Sequence, residues 1–344
     1  MGNSSKVEKY ETVIVGAGPA GLQCAKLLAE SGKEVLVLER KEIIGPKICA
    51  GGLTAKDLNL GIPENLGISF RRLIVHTPYN SDVIESEKPI ITTVDREVLG
   101  QWMTKEAKNA GTIIKANTNV TEIRKNSIIA NGKEIKFRYL VGADGSASLV
   151  RKSLRLKTEE MVVAIQYITE KKLRNLEFFL DAKLFGSGYA WIFPHKGCTS
   201  IGCCCDPRFL SANDLRKNFH KWLKHMKIDV SNAKLEGAPI NYDYRGYRFK
   251  NKFLIGDAAG FASGLTGEGM YFAMVSGQEV AKLIIDKNRH EPEGIERILR
   301  VKRSHEEALK LIEFSGPLKA VIYESLGMLL KSKFVDKELL ESFD

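Results

Sequence analysis

The feature that most constrains this chain is a glycine-rich turn between a short apolar strand and a helix. Residues 11–16 read ETVIVG, and the GAGPAGLQCAKLLAESG that completes the turn has apolar residues at helical spacing. The turn carries the pattern Gly16-x-Gly18-x-x-Gly21, and Glu39 follows its last glycine by 18 residues, at the end of a second predicted strand. This order of strand, turn, helix and strand predicts a dinucleotide-binding unit.

Each of these residues has a physical task in such a unit. Gly16 makes the tight turn, Gly18 lets a pyrophosphate approach the backbone, and Gly21 lets the helix pack closely on the strand. The phosphates lie at the helix N-terminus, where backbone N–H groups are free. Glu39 accepts hydrogen bonds from ribose hydroxyls.

Composition excludes several classes of protein. At 344 residues the chain is long enough for more than one domain, and its 44% hydrophobic and 27% charged residues are ordinary for a globular protein. No stretch reaches the roughly 18 uncharged apolar residues of a membrane-spanning helix. The first residues, MGNSSKVEKYE, lack the apolar segment of a secretory signal. We therefore expect a cytoplasmic protein, with peripheral contact at the inner face of the membrane left open.

The net charge of +10 points to partners rather than to a fold. Three classes of partner suit it: nucleic acid, anionic lipid head groups and an acidic electron-transfer protein. The basic residues are scattered along the chain, which argues against nucleic acid. A solvated basic surface without a partner is an equal alternative.

The six cysteines predict thiols rather than a metal site or a disulfide framework. Cys203, Cys204 and Cys205 follow one another at the end of a predicted strand, together with the nearby Cys198. Alternation along the strand directs Cys203 and Cys205 to one face and Cys204 to the other. A shared metal is therefore not expected, and the thiols are read as small hydrophobic residues.

Two types of segment interleave along the rest of the chain. Residues 95–111 and 211–227 have helical periodicity, and Asn131-Gly132 predicts a two-residue hairpin turn. The interleaving predicts an α/β protein of two domains, an α+β arrangement in which an antiparallel β-sheet substrate domain is inserted into a Rossmann-like nucleotide domain, followed by a helical C-terminus. The predicted boundaries are 9–70, 95–160 and 250–290 for the nucleotide domain, 71–94 and 161–249 for the β-rich domain, and 291–344 for the C-terminal segment.

Further motifs identify the nucleotide through a resemblance. They are Asp95-Arg96, Asp144-Gly145, Gly256-Asp257 and Gly267-Glu268-Gly269. Together with the first glycine turn, they resemble the flavoprotein hydroxylases with the p-hydroxybenzoate hydroxylase fold, which implies FAD. Within that group, the stretches KICAGGL (47–53) and YAWIFP (189–194) resemble the geranylgeranyl reductase family, which includes archaeal digeranylgeranylglycerophospholipid reductases.

The resemblance implies a set of FAD contacts. Asp257 would accept from a ribitol hydroxyl, Arg96 would reach the cofactor from its helix, and Ala50 and Gly52 would lie along the isoalloxazine ring. The turn at Gly267 would present helix N–H groups to the flavin edge that becomes negative on reduction. The complete predicted set of cofactor-binding residues is Gly16, Gly18, Pro19, Ala20, Gly21, Glu39, Arg40, Cys49, Ala50, Gly52, Arg96, Val120, Asp144, Asp257, Gly267, Gly269 and Met270.

Cys49 and Tyr189 are the predicted catalytic residues. Cys49 lies in the loop that passes the flavin, where it is read either as a proton donor or redox partner, or as a small polarizable filler. Tyr189, Trp191 and Phe193 alternate along a predicted strand and so share a face. That face is read as a substrate-binding wall for an isoprenoid chain, or alternatively as an ordinary aromatic core. His195, just beyond it, is expected to be a surface or capping residue.

The resemblance implies FAD-dependent reduction of carbon–carbon double bonds in the geranylgeranyl chain of a lipid, with hydride from flavin N5. NADPH, NADH or a reduced ferredoxin-like protein would supply the electrons. The alternatives are a monooxygenase acting on an aromatic or quinone substrate, and a flavin-binding protein without catalysis. The lipid substrate predicts work at a membrane surface, for which residues 317–334 have a suitable composition, flanked by Lys319, Lys331 and Lys333. A helix packed on the core is an equal reading of that segment.

Overall fold

The structure, a computed structural model, describes residues 7–286 and 291–331. Its strands, in chain order, are β1 (Glu8–Val15), β2 (Val35–Leu38), β3 (Gly52–Leu53), β4 (Ile68–Phe70), β5 (Arg72–His76), β6 (Ser81–Glu85), β7 (Ile91–Thr93), β8 (Ile113–Lys115), β9 (Val120–Ile123), β10 (Ser127–Ala130), β11 (Lys133–Gly142), β12 (Met161–Thr169), β13 (Leu176–Phe179), β14 (Ala190–Pro194), β15 (Thr199–Cys205), β16 (Leu235–Asn241), β17 (Arg248–Phe249) and β18 (Lys252–Leu254).

The helices of the described residues are α1 (Pro19–Glu30), α2 (Ala55–Asn59), α3 (Arg96–Asn109), α4 (Leu149–Ser153), α5 (Ala182–Phe185), α6 (Ala212–His225), α7 (Met270–Ile285), α8 (Glu293–Phe314) and α9 (Lys319–Lys331). Short 3-10 segments cover Glu64–Leu66, Gly256–Ala258 and Gly316–Leu318. The protein is therefore of mixed α/β class with a helical C-terminus, as predicted.

The first sheet has the order β17-β18-β11-β1-β2-β8, with β9 and β10 attached beside β11. β1 lies between β2 and β11 and runs parallel to both. Residues 12–15 of β1 are all buried, as expected for a parallel strand covered on both faces. This sheet confirms the predicted first strand, helix and second strand, and the hairpin at Asn131-Gly132 joins β10 to β11.

Helices α1 and α7 pack closely on each other beside this sheet. A Cβ added at Gly277 in α7 would lie 2.4 Å from the carbonyl oxygen of Ala20 in α1. One added at Gly256 would lie 3.1 Å from the Ala20 Cβ. These small residues bring the start of α1 and the loop after β18 together, which is where two of the predicted cofactor motifs lie.

The second sheet has the order β16-β12-β15-β14-β13-β5-β6 and is antiparallel except between β13 and β5. Its faces bury two different cores. Cys203 and Cys205 pack with Trp222 of α6, whereas Cys204 packs on the opposite face with Trp191. The predicted alternation of the three thiols is confirmed.

A third, small sheet pairs β7 with β3 and β4. Gly52 at the end of KICAGGL pairs with Thr93, two residues before Asp95. The sequence did not predict this sheet, because each strand is only two or three residues long and the paired strands are far apart in the chain. The predicted domain boundaries separate β7 from β3 and β4; those boundaries stay a proposal.

The helical C-terminus lies against the second sheet. Leu309 of α8 joins the core of the Trp191 face, and Glu324 of α9 accepts hydrogen bonds from Thr77 and Asn80 in the turn between β5 and β6. A 3-10 segment at Gly316–Leu318 separates α8 from α9. Lys333 and the rest of residues 332–344 lie outside the described part of the chain, and among the described helices none is long and apolar enough to cross a membrane.

Candidate active site

The glycine turn after β1 has the geometry that a dinucleotide site needs. Gly16 has a φ of +105°, and a Cβ there would lie 2.3 Å from the carbonyl oxygen of Ala143. At Gly21 a Cβ would lie 2.1 Å from the carbonyl oxygen of Gly16, so helix and turn touch. At Gly18, in contrast, an added Cβ meets nothing within 4 Å. Two glycines are therefore required by the fold, and the third faces open space.

The N-terminus of α1 at this open space carries no side-chain cap. Gly18 is its N-cap residue, Pro19 follows it, and the first turn of the helix holds no acidic residue. Pro19 has no N–H of its own, but the other N–H groups of the first turn have no intrahelical acceptor. Uncapped N–H groups and the positive end of the helix dipole favour an anion such as a pyrophosphate.

Glu39 lies where β2 ends and faces the glycine turn. Its carboxylate accepts hydrogen bonds from the backbone N–H of Ala17 at 2.9 Å and of Lys41 at 3.0 Å. Since each carboxylate oxygen has two lone pairs, acceptor capacity remains for ribose hydroxyls. Arg40 beside it is exposed.

Val120 is a predicted cofactor residue that lies in the protein core. It is buried at the start of β9, in the core between the first sheet and its covering helices. It follows by two residues Thr118, whose backbone N–H donates to the carbonyl of Glu39. Val120 therefore lies in the segment next to the end of β2, and a cofactor contact there stays a prediction.

Asp144 has a structural task in this fold. Its carboxylate accepts from the Ser148 hydroxyl at 2.5 Å and from the backbone N–H groups of Leu149 and Val150 at 2.6 and 3.2 Å. These bonds close the loop after β11 and hold the start of α4. The sequence predicts that Asp144 contacts the cofactor, and that contact stays a prediction. In the structure Asp144 follows Ala143, whose carbonyl lies against the glycine turn.

Asp257 occupies the junction between the loop after β18 and the start of α7. Its carboxylate accepts from Lys47 Nζ at 2.7 Å and from the Ser146 hydroxyl at 3.3 Å. A Cβ added at Gly269, the N-cap of α7, would lie 3.5 Å from Asp257 Oδ1. Asn241 donates to the Asp257 backbone carbonyl at 2.8 Å and fixes the loop. The predicted residues Asp257 and Gly269 are thus neighbours.

Arg96 has a buried guanidinium nitrogen without an acceptor, which bears on whether this site suits an anionic cofactor. It is the first residue of α3, it is nearly buried, and its Nη1 lies 2.9 Å from the sulfur of Met270, the first residue of α7. Its Nε is buried and has no hydrogen-bond partner in the protein. A buried guanidinium donor without an acceptor is costly, so an additional acceptor supplied by a cofactor fits this position. The open space at Gly18 fits the same cofactor.

The small residues around Cys49 are packed against the chain itself. Gly51 has a φ of +76°, and a Cβ there would lie 2.7 Å from His195 Cε1. A Cβ at Gly52 would lie 2.7 Å from the Phe193 ring. The space that we expected a flavin ring to need is, on these sides, filled by β14 and the residue after it. A flavin contact at Ala50 and Gly52 would have to use their other sides.

Of the two predicted roles of His195, a surface or a capping residue, the structure favours the second, because its ring binds a backbone carbonyl of the cysteine loop. It is half-buried, and its Nε2–H donates to the carbonyl of Ala50 at 3.0 Å. Its Nδ1 is buried without a partner, and burial lowers the pKa of the imidazole below its ordinary value. No local pattern marked this contact, because it joins residues 145 positions apart.

Tyr189 connects the aromatic strand to the turn before α7. Its hydroxyl donates to the carbonyl of Thr266, and a Cβ at Gly267 would lie 3.0 Å from that hydroxyl oxygen. Burial, followed by the electrostatic influence of Cys204 and Cys49, raises the pKa of Tyr189 well above its ordinary value. The Tyr189 hydroxyl thus keeps its proton in a hydrogen bond to a backbone carbonyl, and the catalytic role of Tyr189 stays a prediction.

The predicted aromatic face exists. The Tyr189 and Trp191 ring centroids are 6.1 Å apart, and Phe178 of the neighbouring strand lies 5.4 Å from Tyr189 and 5.2 Å from Phe193. Trp191 and Phe193 are buried, as an aromatic core would be, whereas Tyr189 is partly exposed. Phe178 was missed by sequence reasoning, since it belongs to another strand.

Glu268, between the two glycines of the turn before α7, was also missed. Burial, and then the charge of Asp57, raises the pKa of its carboxyl to about 7, while Lys56 acts in the opposite direction. Burial raises the pKa of Asp57 itself to about 6. A carboxyl that is half protonated near neutral pH therefore lies beside the proposed flavin edge.

The structure thus brings most of the predicted residues to one place. The glycine turn, Glu39, Arg96, Asp257 and the start of α7 surround the proposed cofactor site. Cys49, Tyr189 and the aromatic strand border its α7 end. In the described part of the chain no group of three or more potential ligands is arranged to hold a metal ion.

Comparisons with known proteins agree with this geometry. A family model described as "FAD binding domain" matches residues 9–175. The digeranylgeranylglycerophospholipid reductase 2 of Methanopyrus kandleri is 29% identical, over 81% of this chain and 78% of its own.

Two solved structures share the fold. A geranylgeranyl bacteriochlorophyll reductase-like protein from Thermoplasma acidophilum has a TM-score of 0.79 at 19% identity, covering 95% of this chain and 93% of its own. The p-nitrophenol 4-monooxygenase of Pseudomonas putida has a TM-score of 0.77 at 16% identity, with 98% of both chains covered. Both solved structures have TM-scores above 0.75, so the fold is shared with them. The chain therefore carries an FAD-binding domain and is an FAD-dependent oxidoreductase, with a digeranylgeranylglycerophospholipid reductase among its sequence relatives.

Proposed function

We propose that this oxidoreductase reduces carbon–carbon double bonds in the geranylgeranyl chain of a prenyl lipid. The observation that carries the proposal is the hydrogen bond from His195 Nε2–H to the carbonyl of Ala50. It joins the cysteine loop to the end of the aromatic strand, the two segments that resemble geranylgeranyl reductases. The Tyr189 contact with Thr266 extends the same assembly to the turn before α7. Loop, apolar strand and proposed flavin edge thus meet in one place.

The chemistry divides between the cofactor and the chain. When bound, reduced FAD supplies a hydride from N5 to one carbon of the double bond. The other carbon needs a proton, and Cys49 is the group that we propose to donate it. Its sulfur accepts a weak hydrogen bond from the Gly51 N–H at 3.4 Å, and the residue is half-buried. The Tyr189 hydroxyl donates a hydrogen bond to the carbonyl of Thr266. We propose that Tyr189 orients the strand and the turn rather than supplying the proton.

The aromatic face would bind the substrate chain by apolar contact. An isoprenoid offers only methylene groups, methyl groups and double bonds, so an apolar wall without charged groups suits it. We propose that Tyr189 presents its exposed part to the chain, with Trp191 and Phe193 as the packed layer behind it. Water is then excluded from the double bond, which protects the proton and hydride transfers from competing reactions.

The residues proposed to hold FAD act by position and charge. The N-terminus of α1 and the Arg96 guanidinium would bind the pyrophosphate region. Asp257 would accept from a ribitol hydroxyl and Glu39 from ribose hydroxyls. The start of α7, with an uncapped Gly269, would favour the negative charge of the reduced flavin.

A monooxygenase is the second candidate. The p-nitrophenol 4-monooxygenase has a similar fold at a TM-score of 0.77. The cofactor motifs of this sequence resemble those of flavoprotein hydroxylases, so they do not separate the two classes. The proposal of a reductase is supported by the similarity to the digeranylgeranylglycerophospholipid reductase of Methanopyrus kandleri over most of both chains.

The electron donor is a separate proposal. NADPH, NADH and a reduced ferredoxin-like protein are the three candidates, and the charge of +10 favours an acidic protein partner through electrostatic attraction. Stopped-flow reduction of the FAD-loaded protein by each donor would rank them. A ferredoxin is excluded if the rate at which it reduces the flavin does not fall as the salt concentration is raised, because salt must screen a charge-assisted encounter.

We propose a peripheral contact with the membrane through the end of α8 and the start of α9. Leu311, Phe314, Leu318 and Val321 are each more than half exposed, and Lys310 and Lys319 flank them. A twenty-carbon chain loses on the order of 10 kcal/mol on leaving a bilayer, at about 0.8 kcal/mol per CH₂. Binding to anionic liposomes that weakens with salt supports the contact; no sedimentation at low ionic strength would exclude it.

The proposed reaction is tested by the product. FAD-loaded protein is incubated without oxygen with dithionite and a digeranylgeranylglycerophospholipid, and the lipid is analysed by mass spectrometry. A reductase adds two hydrogens for each bond. A monooxygenase leaves the lipid unchanged and, with oxygen present, adds an oxygen atom to an aromatic substrate instead.

A further inference from the structure

The loop between β2 and β3 contains Cys49 and has no regular secondary structure from residue 41 to 51. Both of its ends are fixed. On one side, Gln101 of α3 donates to the carbonyl of Ile44 at 2.7 Å. On the other, the Val94 N–H donates to the carbonyl of Gly51 at 2.8 Å. Residues 46–49 span the gap between these two anchors.

Within that span, Lys47 makes the connection to the rest of the protein. Its Nζ donates to Asp257 Oδ2 at 2.7 Å, across 210 positions of the chain. The side chain of Lys41 donates to the carbonyl of Pro46, inside the same loop. The sulfur of Cys49 accepts only from Gly51, also within the loop. Among residues 46–49, all of which the structure describes, Lys47 is therefore the one whose side chain hydrogen-bonds to another element.

Asp257 is well placed to hold such a contact. The side chain of Asp257 is 10% exposed, whereas that of Lys47 is 46% exposed. The buried carboxylate therefore has a fixed position, and the longer, more exposed lysine side chain extends to it. The backbone of Asp257 is held by Asn241, and Ser146 donates to the same carboxylate oxygen as Lys47. The ion pair thus ties a loop without secondary structure to a rigid junction beside the start of α7.

We propose that Lys47 is a positioning residue, whose ion pair with Asp257 holds Cys49 against the FAD site. Asp257 then has two tasks, since it is also the residue proposed to accept from the ribitol of FAD. Loop position and cofactor site are coupled through one carboxylate. The catalytic part of this inference rests on the proposed function, but the placement of the loop does not.

The test measures how often the loop leaves its position. Iodoacetamide labels the apoprotein and the FAD-loaded protein, and peptide mass spectrometry follows Cys49. Cys198, the other half-buried thiol, serves as the internal reference, because the remaining four cysteines are buried. Lys47→Met removes the ammonium but keeps much of the apolar stem, Lys47→Arg keeps the charge, and Lys41→Met is the matched control.

Lys47→Met is expected to raise the labelling rate of Cys49 relative to Cys198 by about fivefold, the effect of losing one partly exposed ion pair on an opening equilibrium. Lys47→Arg and Lys41→Met should stay near the unmodified protein. Asp257→Asn should raise the rate as Lys47→Met does, and the double variant should add nothing further. Unchanged labelling in Lys47→Met, or equal increases in Lys47→Met and Lys41→Met, would overturn the proposal.

A second readout separates this inference from the proposed function. If the loop is positioned for catalysis, Lys47→Met slows oxidation of the reduced flavin by prenyl lipid, and adding it to Cys49→Ser causes no further loss. Faster labelling without any lipid-dependent oxidation in the unmodified protein would retain the positioning role and reject the reductase. Lipid-dependent oxidation with unchanged labelling would do the reverse.

Discussion

His195 Nε2–H donates to the carbonyl oxygen of Ala50 at 3.0 Å, which joins the end of the aromatic strand to the cysteine loop. The imidazole ring also lies so close to Gly51 that a Cβ at this position would be 2.7 Å from His195 Cε1. Strand and loop therefore keep a fixed separation, set by one imidazole.

Removing this imidazole should loosen the loop. His195→Ala leaves the Ala50 carbonyl without its donor and opens a space beside Gly51, which should lower the free energy of unfolding by about 1–3 kcal/mol. Urea unfolding measures the loss. His225→Ala, at an exposed histidine of α6, is the control. Equal stability of the two variants would show that the contact contributes nothing.

Two glycines of the first turn should respond differently to the same substitution. Gly21→Ala places a methyl group 2.1 Å from the carbonyl of Gly16 and should destabilise the fold. Gly18→Ala meets no protein atom, so stability should hold while FAD affinity falls by about tenfold or more, because the methyl group enters the space of the pyrophosphate. Thermal unfolding of the apoprotein and FAD titration measure the two effects separately. Full FAD affinity in Gly18→Ala would contradict the site.

Much of this arrangement could be predicted because its signals are local. The spacing of Gly16, Gly18 and Gly21 predicted the turn, and alternation predicted the shared face of Tyr189, Trp191 and Phe193. Those patterns reflect backbone periodicity, which a single segment contains in full.

The contacts between segments could not be predicted in the same way. Lys47 meets Asp257 across 210 positions, and the lysine stands in no pattern that marks a partner. The pairing of Gly52 with Thr93 joins two strands too short to show alternation. Such contacts depend on how the sheets are placed relative to each other, which no local window of sequence encodes.

The carboxyl of Glu268 should make stability depend on pH. Its pKa rises from 4.5 to about 7 on folding, so between these values the folded state holds a proton that the unfolded state releases. Stability therefore falls as pH rises through this window. Glu268→Gln removes the effect, and its stability relative to the unmodified apoprotein should improve by about 2–3 kcal/mol from pH 5 to pH 8.

Urea unfolding of the apoprotein at the two pH values measures this change. Glu87→Gln, at an exposed position, is the control and should show no such gain. If the two variants have the same pH dependence, Glu268 does not change its proton affinity on folding.

Cys49→Ser tests the proposed proton donor. The variant should retain FAD, since the thiol makes its hydrogen bond within the loop, but it should slow oxidation of the reduced flavin by lipid about tenfold or more, as loss of a general acid does. Cys198→Ser, at the other half-buried thiol, should keep the original rate. Unchanged turnover in Cys49→Ser would identify the thiol as a packing residue.

The central claim is that a prenyl double bond accepts the electrons of the flavin. The most direct measurement is anaerobic: the FAD-loaded protein is reduced with one equivalent of dithionite, mixed with a geranylgeranyl lipid, and followed at the flavin absorption band. The oxidised flavin spectrum should return without oxygen, with two hydrogens added to the lipid for each flavin. A flavin that stays reduced until oxygen is admitted, with the lipid unchanged, would contradict it.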